Sequence, residues 1–269
     1  MFSNVVMFDL DGTLTPARKA MDNDVYDALV ELSSYATIGI VTGSMWEYIQ
    51  QQATPFLDWA WASDTAEIMI MPCNGTQLYV PSSGGSYKKQ YAVSMKDEIG
   101  AENYRRLVWI LSNLQVNMLE GIEMPVSGNF ISYRGSLLNW CMIGRDATHE
   151  ERDKFVSLDE KYKIRETISP LLSENFAEFE LSDLVEHVIG GSTSIDIYPV
   201  GWDKRHSLTH IQAAEREGVY FVGDRCTPGG NDWPLYNIMD EDKRFMTGGP
   251  QETIEIIGGL VKKFSGQGK

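Results

Sequence analysis

Four short apolar runs of strand length, each stopped by a polar residue or a glycine, constrain the fold of this chain more than any other feature. The polar residues at their ends are Asp9, Thr42, Asn74 and Asp224. Hydrophobicity along these runs is continuous rather than alternating, which is typical of strands buried on both faces of a sheet. The pattern predicts an α/β fold with a parallel sheet, with these four residues at the carboxyl ends of the strands.

Helical spacing follows the first of these runs. Val25, Leu29, Leu32 and Ala36 recur at intervals of three or four residues, behind Asp and Asn candidates for the helix cap. Strand, helix and strand in succession predict a βαβ unit. Ligands of open α/β sheets bind outside the carboxyl ends of the strands. We therefore expect residues from opposite ends of the chain to converge on one crevice.

The middle of the chain lacks this alternation. A Pro-Ser-Ser-Gly-Gly-Ser stretch at 81–86 predicts a hinge or a hairpin loop. Beyond it, amphipathic spacing predicts a helix over 96–114, and alternating residues predict strands near 129–143 and 193–199. Between these strands, Thr148–Glu151 has the pattern of a capping box that opens another helix. Strands and helices mixed in this way predict an inserted α+β domain.

A length of 269 residues accommodates two domains with separate cores. We place the α/β core domain at residues 1–85 and 200–269, and the inserted domain at residues 86–199. No internal repeat and no low-complexity segment interrupts either part of the sequence.

Charge and apolar content exclude several classes of function. Lys and Arg total 23 against 38 Asp and Glu, a formal net charge of −15, which argues against a broad nucleic-acid-binding surface. No stretch approaches the roughly 18 consecutive apolar residues of a membrane span, and Met1–Asp11 has neither a basic region nor a small-residue cleavage site. We expect a cytoplasmic protein without a nucleic-acid or membrane partner. The three cysteines are odd in number and lie far apart, which argues against a disulfide framework or a zinc ribbon and predicts free thiols.

Asp9 and Asp11 place two carboxylates where the first strand runs out into a glycine turn. A carboxylate in the position of Asp9 can attack phosphorus and become an aspartyl phosphate, while Asp11 can transfer protons. Mg²⁺ would supply the counter-charge, with oxygen ligands such as the Asp9 carboxylate, the main-chain carbonyl of Asp11, and Asp224. By itself, Asp-x-Asp-Gly also fits an ordinary turn, because Asp and Gly are favoured in turns.

Three further segments supply groups that a phosphoaspartate site requires. The hydroxyl of Thr42 can bind a phosphoryl oxygen, although it also fits a helix cap. Lys204 can neutralise phosphoryl charge, although an isolated lysine is usually solvated. Asn231 and Asp232, after a Gly-Gly turn, suit the surroundings of a metal ion.

Taken in order, these segments resemble the haloacid dehalogenase (HAD) superfamily. The long form of the last segment, from Gly223 to Asp232, resembles the eukaryotic-type phosphomannomutase branch of that superfamily. Further matches extend over nearly the whole chain: Arg18, Asn74-Gly-Thr, Arg134 with Asn139, Ile143-Gly-Arg145, Glu150-Glu-Arg152, Ser194 with Asp196, and Gly201-Trp-Asp-Lys204.

The resemblance implies a Rossmann-like HAD core with a parallel sheet and an inserted α+β cap domain of the C2 type. It also implies Mg²⁺, a homodimer formed through the cap, and interconversion of mannose 6-phosphate and mannose 1-phosphate, a step of GDP-mannose biosynthesis. The reaction would pass through an aspartyl phosphate and a hexose 1,6-bisphosphate, which also serves as activator.

The resemblance further implies a role for each matching residue. The catalytic set is Asp9 as nucleophile, Asp11 as acid and base, Thr42 and Lys204. The sugar-phosphate ligands are Arg18, Arg134, Asn139, Arg145, Arg152, Ser194 and Asp196. The metal site comprises Asp9, Asp11, Asp224, Asn231 and Asp232.

Local patterns support two of these assignments independently. Ser194 and Asp196 lie two apart in an alternating run, so both side chains point to one face of a strand. Arg145 lies just before a predicted helix and Arg152 one turn inside it, so guanidinium groups and a helix amino end could meet at a phosphate. Alternatively, these arginines pair with surface carboxylates such as Glu150.

Departures from the family pattern keep two alternatives open. The chain has Gly135-Ser136 where the family usually has Asn-Gly, Thr42 where it has Gly, and Cys73 where it has Glu. These differences leave the phosphoryl site intact but bear on the sugar and on the balance between isomerisation and hydrolysis. One alternative is therefore a Mg²⁺-dependent HAD sugar-phosphate phosphatase. The other, a non-catalytic sugar-phosphate-binding module, is disfavoured because the catalytic residues are all present.

Overall fold

A computed structural model describes residues 2–63, 65–82 and 86–266. The chain divides into two compact units: unit 1 is Met1–Ala92 with Trp202–Lys269, and unit 2 is Val93–Gly201. The first boundary differs from the predicted residue 86, because residues 86–92 form a strand that pairs within unit 1. Of the predicted loop at 81–86, residues 83–85 lie outside the described part.

The strands, in chain order, are β1 (Val5–Phe8), β2 (Thr37–Val41), β3 (Ile68–Met71), β4 (Gln77–Ser82), β5 (Ser86–Ala92), β6 (Ile131–Tyr133), β7 (Leu138–Cys141), β8 (Val185–Gly190), β9 (Ser194–Pro199), β10 (Val219–Gly223) and β11 (Arg244–Met246). The α-helices are α1 (Asn23–Leu32), α2 (Trp46–Ala62), α3 (Met95–Ile99), α4 (Ala101–Gly121), α5 (His149–Tyr162), α6 (Ile164–Glu178), α7 (Trp233–Ile238) and α8 (Pro250–Gly266). Short 3₁₀ helices occupy Cys73–Gly75, Lys204–His210, Ala213–Gly218 and Glu241–Lys243.

Unit 1 is built on one mixed sheet whose strand order, within the described residues, is β11-β10-β1-β2-β3-β4-β5. The strands from β11 to β3 run parallel, and β4 and β5 are added antiparallel. The predicted α/β fold with a parallel sheet is confirmed. The β4–β5 pair was not predicted as an extension of that sheet.

Both faces of this sheet are buried, which explains the continuous hydrophobicity of its strands. Val6 and Phe8 of β1 pack on one face with α1, α2 and α8. Val5 and Met7 pack on the other face with Phe221 of β10 and Leu235 of α7. Because no position of β1 faces water, the strand cannot alternate apolar and polar residues.

Unit 2 is an α+β unit with its own core. Its antiparallel sheet has the order β6-β7-β9-β8 across the described residues, and α3 to α6 pack against it. The capping box is confirmed: Thr148 precedes α5, and its side chain and that of Glu151 bond reciprocally to the main chain. The single helix predicted over 96–114 is wrong at Gly100, whose φ of 77° separates α3 from α4.

Two further expectations from the sequence concern membrane-spanning segments and the state of the cysteines. No helix in the part of the chain that the structure describes combines the length and the apolar character needed to cross a membrane. All three cysteines, Cys73, Cys141 and Cys226, lie in that part and are buried as free thiols.

Candidate active site

Polar residues at three adjacent strand ends meet at one edge of the unit 1 sheet. Asp9 follows β1, Thr42 follows β2, and Asp224 follows β10, and β1 lies between the other two strands. Asn74 adjoins them, because its main-chain N–H donates to the Thr42 carbonyl at 2.8 Å. The expected convergence of residues from both ends of the chain is therefore confirmed.

Lys204 lies at the centre of this edge. Its Nζ donates to Asp9 Oδ1 and to Asp232 Oδ1, both at 2.5 Å, and its side chain is fully buried. It begins a 3₁₀ helix whose amino end is capped by Asp203, through a bond from the Arg205 N–H. The alternative of a solvated surface lysine is wrong.

Negative charge exceeds positive charge around Lys204. Oxygen atoms of Asp9, Asp224 and Asp232 all lie within 4.8 Å of one another. Burial raises the pKa of Asp9 well above its ordinary value; Lys204 opposes this rise, and the other two carboxylates add to it. Burial and Asp232 raise the pKa of Asp224 to about 6. Burial disfavours charge on Lys204, but Asp232 and Asp9 outweigh it and raise the pKa of that ammonium.

The same cluster fits a divalent cation. Oδ1 of Asp224 and Oδ1 of Asn231 are buried and have no hydrogen-bond partner among the described residues. Buried polar atoms are normally bonded, so these oxygens mark a place for a ligand. Carboxylate and amide oxygens are the donors that Mg²⁺ prefers. Asp232 has other contacts, because its two oxygens accept from Lys204 Nζ and from the Arg225 N–H.

The carboxylate of Asp11 does not belong to this cluster of three aspartates. Its Oδ1 accepts from the Arg18 main-chain N–H at 2.7 Å and from Gln52 Nε2 at 2.8 Å. Its Oδ2 contacts the hydroxyl of Ser44 at 3.3 Å. The side chain of Arg18 lies over the ring of Tyr48, with 5.9 Å between Cζ and the ring centroid. Sequence reasoning missed Gln52, which lies on α2, four residues after Tyr48 and thus on the same helix face.

In unit 2, neighbouring strands join several predicted sugar-phosphate ligands. Asn139 of β7 is paired with Asp196 of β9, and its Nδ2 donates to Asp196 Oδ1 at 2.6 Å. The Oδ1 atom of the same asparagine accepts from Arg145 at 3.3 Å. Ser194 is buried on the same strand as Asp196, whereas Ile195 and Ile197 belong to the apolar core. The predicted division of β9 into a polar and an apolar face is confirmed.

Two arginines, one buried and one half-buried, hold the backbone around these ligands. Arg152 donates to the carbonyls of Ala147 and Arg145 at 3.1 and 2.8 Å, and to the Thr193 hydroxyl at 3.0 Å. These bonds, and not the alternative pairing with a surface carboxylate, hold Arg152 in place. Arg165, which the sequence did not single out, bonds Asp159 and the carbonyl of Gly191 in the turn before β9.

Arg134 lies in the turn between β6 and β7. Its side chain is buried, and its main-chain N–H donates to the Leu137 carbonyl at 2.9 Å. The predicted ligands therefore fall into two groups by unit: Arg18 belongs to unit 1, and the remaining six belong to unit 2.

Comparison with known proteins decides the family. A model of the eukaryotic phosphomannomutase family matches residues 25–263 of the chain. This chain belongs to the eukaryotic phosphomannomutase family. It is 34% identical to "Phosphomannomutase" of Encephalitozoon cuniculi over 96% of this chain and 94% of that protein. It is 30% identical to "Phosphomannomutase 2" of Dictyostelium discoideum over 97% and 98% of the two chains.

Solved structures agree on the fold. An IMP-nucleotidase of Plasmodium falciparum, N-terminally truncated and bound to IMP, superimposes with a TM-score of 0.65 at 14% identity, covering 96% of this chain and 68% of that one. At this identity the likeness concerns the fold alone, which is the HAD fold. Family membership makes the chain an enzyme with phosphotransferase chemistry of the HAD type.

Proposed function

We propose that this enzyme interconverts mannose 6-phosphate and mannose 1-phosphate through a phosphorylated Asp9. The observation that supports this most is the group formed by Asp9, Lys204, Asp224 and Asp232, a buried carboxylate bonded to an ammonium beside further acidic oxygens. A carboxylate held in this way is suited to accept a phosphoryl group. Membership of the phosphomannomutase family supplies the choice of substrate.

The chemistry follows from the positions of Asp9 and Asp11. A carboxylate oxygen of Asp9 attacks phosphorus, the bond between phosphorus and the sugar oxygen breaks, and Asp11 donates a proton to that oxygen. In the opposite direction, Asp11 accepts the proton of a sugar hydroxyl as that oxygen attacks the phosphoaspartate. The phosphoaspartate first transfers its phosphoryl group to one sugar monophosphate, which gives the hexose 1,6-bisphosphate. Asp9 then takes the phosphoryl group from the other position of this bisphosphate, and the isomerisation is complete.

Other residues of unit 1 balance charge. The ammonium of Lys204 neutralises phosphoryl oxygens while it fixes Asp9, and the hydroxyl of Thr42 donates to one of them. Asp9, Asp224 and Asn231, with the main-chain carbonyl of Asp11, would hold Mg²⁺, and Asp232 would support them. When bound, the ion supplies positive charge beside the carboxylate and the phosphate.

Unit 2 supplies the groups proposed to bind the sugar phosphate. Arg134 and Arg145 would bind phosphate, and Ser194 and Asp196 would bind sugar hydroxyls; in unit 1, Arg18 is a further proposed ligand. Asn139 joins Arg145 to Asp196, so the two kinds of ligand are held in one network. Arg152 remains a proposed phosphate ligand, and its present bonds also fix the segment that contains Arg145.

A homodimer formed through unit 2 is part of the proposal. On α4, the apolar side chains of Trp109, Val116 and Leu119 are exposed, and the first two lie one heptad apart. Such a stripe is suited to pack against a second copy. Analytical ultracentrifugation, which measures the mass of the protein in solution, tests for this dimer. The cytoplasmic location, the bisphosphate activator and the place in GDP-mannose biosynthesis stay predictions.

One assay tests the proposed function. The enzyme is incubated with Mg²⁺, mannose 1-phosphate and a trace of hexose 1,6-bisphosphate, and sugar phosphates and inorganic phosphate are followed by ³¹P NMR. We expect mannose 6-phosphate without stoichiometric release of phosphate. Stoichiometric release would mean a phosphatase, and binding without turnover would mean a non-catalytic module.

A further inference from the structure

One face of α2 and of the turn before it is directed at the segment that contains Asp11. Ser44, Tyr48 and Gln52 lie four residues apart, the spacing at which side chains share a helix face. Each contacts the segment from Asp11 to Arg18: Ser44 and Gln52 contact the carboxylate, and Tyr48 contacts the guanidinium.

Gln52 is the buried member of this face. Its side chain is only 5% exposed, whereas the neighbouring Gln51 is exposed on the same helix. Its main-chain carbonyl accepts from the Met21 N–H at 2.7 Å, so both the backbone and the side chain of Gln52 are engaged. A buried side chain on a hydrogen-bonded backbone has little freedom to rotate, and its Nε2 donates to Asp11 Oδ1 at 2.8 Å.

The bonds at Asp11 distinguish its two oxygens. Oδ1 accepts from two N–H donors, the Gln52 amide and the Arg18 main chain, and neither donor can accept a proton in return. Oδ2 contacts the hydroxyl of Ser44, which can rotate to donate or accept. When Asp11 bears a proton, Oδ2 is therefore the oxygen that holds it.

We propose that Gln52 is a positioning residue for proton transfer: its amide occupies Oδ1 of Asp11 and so keeps Oδ2 as the oxygen that gives and takes the proton. This inference rests on the proposed function, since it assumes that Asp11 protonates a departing sugar oxygen. Without the Gln52 donor, the carboxyl group can rotate and its proton is no longer confined to one oxygen.

The test compares leaving groups, because proton donation matters only where the departing oxygen needs a proton. Gln52→Met keeps the length of the side chain and removes the donor, and Gln51→Met makes the same change on the exposed surface. For the Gln52 variant we expect kcat with mannose 1-phosphate to fall by about a hundredfold, with KM within about twofold. With p-nitrophenyl phosphate, the rate of the initial nitrophenolate burst should change by less than about threefold, because nitrophenolate departs without a proton and the burst precedes hydrolysis of the phosphoaspartate. The Gln51 variant should match the wild type with both substrates.

The alternative outcomes are distinct. Equal losses with both substrates would mean a merely structural role, and no loss with mannose 1-phosphate would also overturn the proposal. If the methionine variant fails to fold, Gln52→Leu replaces it, since its apolar side chain has neither an N–H nor an O–H donor; the same selective loss is expected. If the wild type hydrolyses mannose 1-phosphate instead of isomerising it, the proposed mutase function fails, but the leaving-group comparison still decides the role of Gln52.

Discussion

The candidate site residues of the two units carry charge of opposite sign. In unit 1, the aspartates at positions 9, 224 and 232 surround the ammonium of Lys204, and the pKa values of Asp9 and Asp224 are raised. In unit 2, the six predicted ligands include three arginines and one aspartate, and that aspartate is bonded to a neutral amide. Among these site residues, those of unit 1 are therefore short of positive charge, and those of unit 2 are rich in it.

This contrast separates two tasks. An excess of buried carboxylates is stabilised by a cation, so unit 1 suits a metal ion and the reacting phosphorus. Arginines that are fixed by hydrogen bonds to carbonyl and amide oxygens suit the binding of an anion that has to be recognised and then released. Changes in unit 1 should therefore act on the chemical step and on metal-linked stability, and changes in unit 2 should act on substrate affinity.

The largest expected effect is at the nucleophile. Asp9→Asn should lower kcat by at least about a thousandfold and abolish the phosphoenzyme, because an amide cannot accept the phosphoryl group. The fold should survive, since the side chain is nearly isosteric. Acid-quenched labelling by a phosphoryl donor measures the phosphoenzyme, and Asp27→Asn on the exposed surface of α1 is the control. Labelling of the Asp9→Asn variant would contradict the assignment.

Next in size is the loss of the central ammonium. Lys204→Met should destabilise the folded state by about 3–5 kcal/mol, because it leaves Asp9 and Asp232 buried without their cation. Urea unfolding at pH 7.5 measures this, with Lys262→Met on the exposed surface of α8 as the control. If both variants unfold at the same urea concentration, the Asp9–Lys204–Asp232 contact does not support the fold.

A smaller effect is expected in unit 2. Arg145→Met should raise KM for mannose 1-phosphate by about 10- to 100-fold, the value of one or two charge-assisted bonds to phosphate, and should lower kcat less. Arg105→Met, on the exposed surface of α4 and paired there with Glu102, should leave both constants unchanged. A fall in kcat with unchanged KM would remove the distinction drawn between the units.

The smallest effect concerns pH and metal. Because the pKa of Asp224 is raised from its ordinary value of 3.8 to about 6 in the folded state, its contribution to stability is fully present below about pH 3.8 and is lost as the pH rises from there through about 6. Without metal, Asp224→Asn should therefore melt a few degrees above the wild type at pH 7.5, and this difference should shrink at pH 5 and be lost below about pH 3.8. Mg²⁺ should raise the melting temperature of the wild type at pH 7.5 more than at pH 5, and that of the variant little. Equal responses of the two proteins would argue against Asp224 as a metal ligand.

Unit 1 could be predicted well because its signals are local. Continuous apolar runs locate β1, β2, β3 and β10. Because these strands are parallel, the polar residues at their carboxyl ends all lie along the same edge of the sheet. Asp9, Thr42 and Asp224 follow directly from that rule. The antiparallel addition of β5 was missed because its exposed, polar residues do not resemble those of a buried strand.

What escaped prediction depends on tertiary contacts. Gln52 resembles any glutamine of an amphipathic helix until Asp11 is placed beside it. Arg165 has the sequence context of a surface residue at the start of α6, and only its bond to the turn before β9 shows that it anchors that turn. The division of the predicted helix at Gly100 has a local cause, but glycine within a helical pattern does not reveal whether the chain changes direction there.

The position of β10 has a consequence for synthesis. β1 is made first, yet one of its two neighbours in the sheet, β10, leaves the ribosome only after the whole of unit 2. Until then β1 has an unpaired edge, which is open to wrong partners. A nascent chain halted at Gly201 would contain every residue of unit 2 but would lack Lys204 and Asp224, so catalytic competence has to await translation of the segment that follows unit 2.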